Sequence, residues 1–397
     1  MIEENRQFTL PDYDGGSIVN LMVSITDKLK SRQKGFDNIY PPLKIFPVNR
    51  MTDTKRIALV VVDGLGDHLY SNLKNFNSLD NWLLGTITSV YPPTTASAIS
   101  TFMTGTAPQQ HGLTGWYIFL RELGAVATIL PFVSRYGQYP LEREGIQPLD
   151  FIGCPSLAQN LSGKSGFLQP IEIYDSAFSR SLACTGDRKS YQNLGQLGSL
   201  VGDFVTNETD LDYLYAYIPN IDTLAHRFGP YSSQVQKEYL KISGLLSDLC
   251  ELSQDSGTLL LITADHGFIH NPEEKRISLK DHPDLQTMLT LPLCGEPRTA
   301  YAYVKSNRII DFQNYVENHL NHAVELRLPS DVISENWFGK GKPHEHLEHR
   351  LGDFVLCLKE NYAIYDALMG EQIPSLLGVH GGTSRSEQIV PLFSAGP

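Results

Sequence analysis

Two short segments, Arg56–Val62 and Thr258–Thr263, are built on consecutive apolar residues (57–62 and 259–262) and lack the polar–apolar alternation of a half-exposed strand. Both are rich in branched aliphatic residues and predict strands buried on both faces, as in a parallel sheet. Tyr213–Ile218 predicts another strand, and Thr86–Val90 one more. Between them the period changes. Ser17–Lys30 is amphipathic and predicts a helix, followed by a proline-rich connector around 41–47. A helix is predicted near Asp67–Phe76. A longer one runs from Ser232 to about Ser253, with Val235, Tyr239, Ile242, Leu245, Leu246 and Leu249 on one face and Gly257 as its stop. Residues 116–200 alternate less clearly, with a strand over 151–155 and a helix over 156–161 as the best readings. From about 275 the alternation becomes finer. Strands are predicted at 299–304, 324–328, 353–358 and 362–366, and helices at 309–322 and 331–337. This pattern predicts an α/β protein with a largely parallel central sheet. Its catalytic core would comprise 51–274 plus 376–397, preceded by a helix and connector over 1–50. A small α/β cap would be inserted at 275–375.

Composition narrows the function. The 397 residues carry a net charge of −12, which argues against binding a nucleic-acid polymer or a membrane through a basic patch. It leaves a small phosphorylated substrate open, because bound metal ions would dominate the local field. The five cysteines are widely spaced and form no C-x-x-C pair, so they read as reduced and mostly buried. The first residues do not resemble a signal peptide and no apolar run is long enough to span a bilayer. The expected location is cytoplasmic.

The candidate chemistry gathers at strand ends. Pro92-Pro93 breaks the chain after the 86–90 strand, and Thr94-Thr95 then opens a run of small residues that reads as a short helix. One of the two threonines stands at a helix N-terminus, where unpaired N–H groups favour an anion and a hydroxyl can act as nucleophile. Asp63 follows the 56–62 strand and Asp265-His266 follows 258–263. Asp222 and His226 are four apart and share one face of a helical turn, while His380 is flanked by Gly378, Gly381 and Gly382. In open α/β sheets such strand-end residues converge on one site. Carboxylates and imidazoles without cysteine suit catalytic zinc, and a pair of ions suits in-line phosphoryl displacement.

With these residues the chain resembles the alkaline phosphatase superfamily, and within it the type I phosphodiesterase/nucleotide pyrophosphatase family. The resemblance rests on Val61-Val62-Asp63-Gly64, on Pro93-Thr94-Thr95 through Met103-Thr104-Gly105 to Gln110-His111-Gly112, on Asp222 through Pro230, on Thr263 through Gly267, and on Val379-His380-Gly381-Gly382. It implies an alkaline-phosphatase-like three-layer core, a threonine nucleophile and two divalent ions, zinc in this family. Counting back from Thr104-Gly105 selects Thr95. One ion is then expected on Asp222, His226 and His380, the other on Asp63, Asp265, His266 and Thr95. After Thr95 stand Ala96-Ser97-Ala98, where nucleotide pyrophosphatases typically carry Phe-Pro-Asn.

The expected activity is hydrolysis of a phosphodiester or pyrophosphate bond, possible substrates including nucleotides, through a phospho-threonine intermediate. A phosphomonoesterase or phosphonate hydrolase on the same core is the alternative, and an inactive binding module the rival from another class. Residues 89–112 contain no Arg or Lys. That favours a diester over the more highly charged monoester, unless Arg121, Arg135, Arg188 or Arg298 reaches the site. The tract His344-Glu345-His346-Leu347-Glu348-His349 does not match H-E-x-x-H, and its dense charge reads as a solvated helix or turn.

Overall fold

In the computed structural model, which describes residues 8–29, 39–73, 79–207, 209–371 and 375–397, the two apolar runs and the 213–218 strand lie side by side. Among the described residues the central sheet has seven strands: β1 (Arg56–Val62), β2 (Leu83–Thr88), β3 (Ser165–Pro170), β4 (Asp187–Tyr191), β5 (Tyr213–Ile218), β6 (Thr258–Thr263) and β7 (Ile389–Ala395). Their spatial order is β2-β7-β6-β1-β5-β3-β4. The block β6-β1-β5-β3-β4 is parallel throughout. Only β7 runs against its neighbours, β2 and β6. The continuous apolar runs follow from position: β1 is central, and Ile57 to Val62 are buried on both faces.

Helices cover this sheet. We name α1 (Ile18–Leu29), α2 (Thr95–Thr104), α3 (Leu194–Thr206), α4 (Asn220–Phe228) and α5 (Ser233–Ser253). Helix α1 packs on α2, and α3 on α5. Every residue of α1 from Ile18 to Ile25 is buried, so this helix belongs to the core. Its buried Asn20 is fully engaged: the amide donates to the carbonyls of Tyr13 and Pro41, and the oxygen accepts from Ser17. Among the described residues, no helix is long and apolar enough to cross a membrane.

A second sheet is antiparallel. It runs from Val324–Arg327 through Phe354–Leu358, Thr299–Ala302, Cys294–Gly295, Tyr117–Leu120 and Ala125–Thr128 to Val133–Ser134. Three of these strands come from 117–134, outside the segment 275–375 for which the sequence predicts a cap. The two parts of the chain therefore share one sheet. Tyr91 ties it to the core, with its ring edge-on to Trp337 at 5.0 Å and its hydroxyl 3.1 Å from Thr299 Oγ1.

Several local expectations shift. The stretch 151–155 forms no strand. Ser156 instead caps the short helix Leu157–Asn160, accepting from Gln159 N at 3.3 Å. The helix predicted over 309–322 is α-helical only over Ile309–Tyr315 and continues as a π-turn over Val316–Leu320. The helix read over 331–337 covers Pro329–Ser334. The helix read over 67–76 covers Asp67–Asn72, and its last residues lie outside those described.

Candidate active site

The parallel strands deliver their side chains to one rim. Asp63 follows the last residue of β1, and Asp265-His266 follows β6 by one residue. After β5, α4 places Asp222 in its first turn and His226 in its last. His380 follows the short strand Gly378–Val379. Thr95 is the first residue of α2, with Thr94 as its N-cap in extended backbone. The structure thus brings all seven sequence-predicted residues to the carboxyl ends of the strands, where an open α/β sheet binds its ligand.

Distances show how closely they gather. Asp222, His266 and His380 each offer a ligand atom within 4.8 Å of one another, and so do Asp63, Asp265 and His266. His226 joins the first group: its Nε2 is 3.3 Å from Asp222 Oδ1 and 3.2 Å from His380 Nε2. His266 stands between the groups, its ring stacked on His380 at 3.7 Å and its Nε2 3.3 Å from Asp63 Oδ1. Thr95 Oγ1 is 3.1 Å from His266 Nε2 and 3.5 Å from Asp63 Oδ2.

This donor set suits cations. Asp63 Oδ1, Asp222 Oδ1 and Asp265 Oδ2 are buried with no hydrogen-bond partner among the described residues, which is costly unless something else satisfies them. Each of the three imidazoles has its Nδ1 against a backbone carbonyl: His226 on Gly378 at 2.8 Å, His266 on Gly267 at 3.2 Å and His380 on Pro93 at 3.2 Å. A carbonyl at Nδ1 calls for a proton there, which leaves Nε2 of each ring, when neutral, as the nitrogen that can face a cation, as in histidine ligands of metals.

The electrostatics agree. Burial, then the charges of Asp222 and Asp265, pushes the Asp63 carboxyl well above the usual range. Burial likewise raises Asp265. Burial acts against the charged forms of Asp222 and His226, yet their mutual attraction prevails, lowering Asp222 and raising His226 to about 9. His380 is driven far down by burial and by its two imidazole neighbours. Burial and mutual repulsion thus hold protons on Asp63 and Asp265 and keep one off His380, strains that divalent ions among the carboxylates would relieve.

Two supporting residues carried no sequence signal. Tyr217, inside β5, donates its hydroxyl to Asp63 Oδ2 and fixes that carboxylate. Glu296, buried beside Cys294–Gly295, accepts at Oε1 from Thr94 Oγ1 at 2.6 Å and from Trp116 N at 2.7 Å. It is raised to about 7, chiefly by burial. Tyr217 was legible only as a strand residue, and Glu296 stands in no motif.

The four arginines that could have reached Thr95 are held elsewhere. Arg121 contacts His349 Nε2 at 2.6 Å, and Arg135 donates to Leu293 O at 2.6 Å and pairs with Glu371 at 3.2 Å. Arg188 donates to Tyr174 O, and Arg298 pairs with Glu387 at 3.0 Å. None lines the cavity of about 510 Å³ that opens beside Thr95 and Asp63. In the His344–His349 tract, His346 lies 3.6 Å from Glu122, which also pairs with Arg350 at 3.1 Å. With Arg121 on His349, the tract is threaded by guanidinium groups. It contributes to no candidate metal group among the described residues.

The sequence matches none of the curated proteins with which it was compared. Solved structures do match. Murine ectonucleotide pyrophosphatase/phosphodiesterase 5 superposes with a TM-score of 0.60 at 17% identity, covering 86% of this chain and 88% of that one. The human protein gives 0.61 at 18% identity, covering 86% and 88%. Phosphonoacetate hydrolase from Sinorhizobium meliloti 1021 gives 0.59 at 16% identity, covering 86% and 90%. At these identities the likeness establishes the alkaline-phosphatase-like fold. The family description "Type I phosphodiesterase / nucleotide pyrophosphatase" matches residues 57–131 and 172–383, a span that contains Asp63, Thr95, Asp222, His226, Asp265, His266 and His380. A match over that much of the chain, joined to a strand-end cluster rich in metal donors, places the protein in the metal-dependent type I phosphodiesterase/nucleotide pyrophosphatase family of the alkaline phosphatase superfamily, as a hydrolase of phosphoester bonds.

Proposed function

We propose that the protein hydrolyses a phosphodiester through Thr95, with two zinc ions held by Asp222, His226 and His380 on one side and by Asp63, Asp265, His266 and Thr95 on the other. Bound zinc would supply positive charge for the Thr95 oxygen, the leaving oxygen and the phosphoryl group between them. The observation that carries this reading is the position of Thr95 Oγ1, at a helix N-terminus and 3.1 Å from His266 Nε2, beside buried carboxylate oxygens that accept no hydrogen bond among the described residues. The first-turn N–H groups of α2 face the same region and favour the anion.

The residues act in order. The Thr95 oxygen bonds to phosphorus as the bond to the leaving oxygen breaks; the hydroxyl proton ends on that oxygen, the alcohol departs and phospho-Thr95 remains. Water then cleaves that ester, phosphorus passes to the product, and the threonine hydroxyl is restored. Tyr217 holds Asp63, and Glu296 holds the Thr94 N-cap. The first contact orients a carboxylate facing Thr95, and the second braces the turn from which Thr95 projects.

A diester is favoured over a monoester because a monoester carries about two negative charges at neutral pH and gains from a cationic side chain at its non-bridging oxygens. Among the cavity's lining residues there is no Arg or Lys. The test compares kcat/KM for bis-p-nitrophenyl phosphate and p-nitrophenyl phosphate with zinc saturating. The diester is expected to be faster. A tenfold preference for the monoester, about 1.4 kcal/mol of transition-state stabilisation, would sink the diesterase reading and promote a phosphatase.

A further inference from the structure

The cavity beside the nucleophile continues well past the reacting groups. It has a volume of about 510 Å³ and runs from Thr95, Asp63 and Asp222 to a wall formed by Ile99 and Met103 of α2, with Phe178, Leu182 and Tyr215. Ile99 and Met103 lie four and eight residues after Thr95, so one face of α2 carries the nucleophile and then the apolar wall. The deep residues Phe178, Leu182 and Tyr215 are buried, while Ile173 and Glu172 at the mouth are exposed. Charge is one-sided: acidic groups stand at both ends and no cationic side chain lines the space between them.

Two polar atoms in the wall lack partners. Gln169 Oε1 and the Tyr215 hydroxyl are buried with no hydrogen bond among the described residues, although the Gln169 amide is held by Ser179 Oγ at 3.0 Å. An acceptor and a hydroxyl left open in an otherwise apolar pocket call for a ligand that brings its own hydrogen-bonding group. A small substituent would leave the apolar wall wet and both atoms unpaired. A substituent with a second phosphate or a carboxylate would carry an anion into a space with no counter-charge.

We infer that this cavity receives one organic substituent of the phosphodiester, and that the substituent is uncharged, mostly apolar, and tipped with a hydroxyl or N–H group. This rests on the diesterase reading above and narrows it, selecting an alkyl- or aryl-type diester over a pyrophosphate. Either a hydroxylated chain or a nucleoside could supply that chemistry.

The test uses full-length, zinc-loaded protein and p-nitrophenyl phosphodiesters whose second substituent is methyl, hexyl, 6-hydroxyhexyl or thymidin-5′-yl. Burial of each methylene is worth about fourfold, so kcat/KM for the hexyl ester should exceed that for the methyl ester at least tenfold if a chain occupies the pocket. The hydroxyhexyl ester should then match or exceed the hexyl ester. If only the thymidine ester exceeds the methyl ester tenfold, the pocket stands and its occupant is a nucleoside. Values within twofold for all four esters overturn the inference while leaving the diesterase reading intact. Ile173→Trp, at the exposed mouth, and Met103→Trp, in the wall, should each reduce the preference at least threefold. An unchanged preference in both correctly folded variants also overturns it. Should none of the esters be hydrolysed, the diesterase reading fails and binding decides the pocket separately. Calorimetry with hexylphosphonate and methylphosphonate then supports the pocket if the hexyl compound binds at least tenfold tighter and loses that advantage in Ile173→Trp. Equal affinities overturn it.

Discussion

Thr94 and Thr95 are adjacent hydroxyls with different surroundings. Thr95 Oγ1 faces His266 and Asp63, whereas Thr94 Oγ1 is buried and donates to Glu296 at 2.6 Å. Thr95→Ala should abolish turnover with little change in melting temperature, since it removes the proposed attacking atom and no buried hydrogen bond to Glu296. Thr94→Ala should retain most turnover and destabilise by about 1–2 kcal/mol, the cost of depriving Glu296 of a donor. Steady-state rates and thermal melts of both variants decide the matter, and reversed effects would move the nucleophile to Thr94. The surroundings also show what a sequence can carry at this scale. Asp63, Asp222, Asp265, His266 and His380 were legible because each follows a strand or glycine turn in a recognisable order. Glu296 was not, because its contacts lie 202 and 180 residues away along the chain and nothing local distinguishes it from a surface glutamate.

At the scale of elements, legibility followed burial. Strands β1, β5 and β6 lie within the sheet, and their side chains had to be apolar on both faces. Strand β4, with the sequence DRKSY, is an edge strand, paired among the described residues only to β3 and exposed at alternate positions. Strand β3 contains Gly166, Gln169 and Pro170, and Gln169 answers to the cavity rather than to sheet packing. The hairpin over 117–128 is short and borrows its apolar partner surface from strands beyond residue 290. No window along the chain could reveal that sharing. Loops are set by contact more than by propensity. A Cβ at Gly267 would lie 2.1 Å from Ser386 O and 3.0 Å from Gly66 Cα. The loops after β1 and β6 therefore touch backbone to backbone, and Gly267 N donates to Glu387 O at 2.8 Å. Gly267→Ala should force these loops apart, costing about 2–3 kcal/mol and displacing His266. Thermal melts and zinc analysis of the purified variant test this. Wild-type stability with a full zinc complement would show that the contact is not needed to hold the cluster.

At the scale of the whole molecule, the site is a junction rather than an appendage. Its ligand candidates come from residues 63 to 380, carried by three separate strand ends and by α2 and α4. Anything that neutralises the cluster therefore ties together segments from nearly the full length of the chain. In the folded protein three buried carboxylate oxygens accept no hydrogen bond among the described residues and face the imidazoles of His226 and His266 across 3.3–3.4 Å, while His226 and His380 bring their Nε2 atoms to 3.2 Å. In the unfolded chain the same groups are solvated and far apart. Zinc should thus bind the folded state preferentially, and its free energy of binding becomes stability. At a thousandfold excess over the dissociation constant the gain is about 4 kcal/mol. With an unfolding entropy proportional to 397 residues, that corresponds to roughly 5 °C in Tm. Chelator-stripped protein should melt lower by about that amount and recover on adding zinc. His380→Ala should lower zinc content from about two per chain and shrink the chelator effect together with activity, because His380 Nε2 is within 3.8 Å of Asp222 Oδ1 and 3.2 Å of His226 Nε2. If zinc content is unchanged in that variant, His380 leaves the ligand set. If stripping the wild type changes neither Tm nor activity, the cluster is not a metal centre, and the unpaired carboxylates need another explanation.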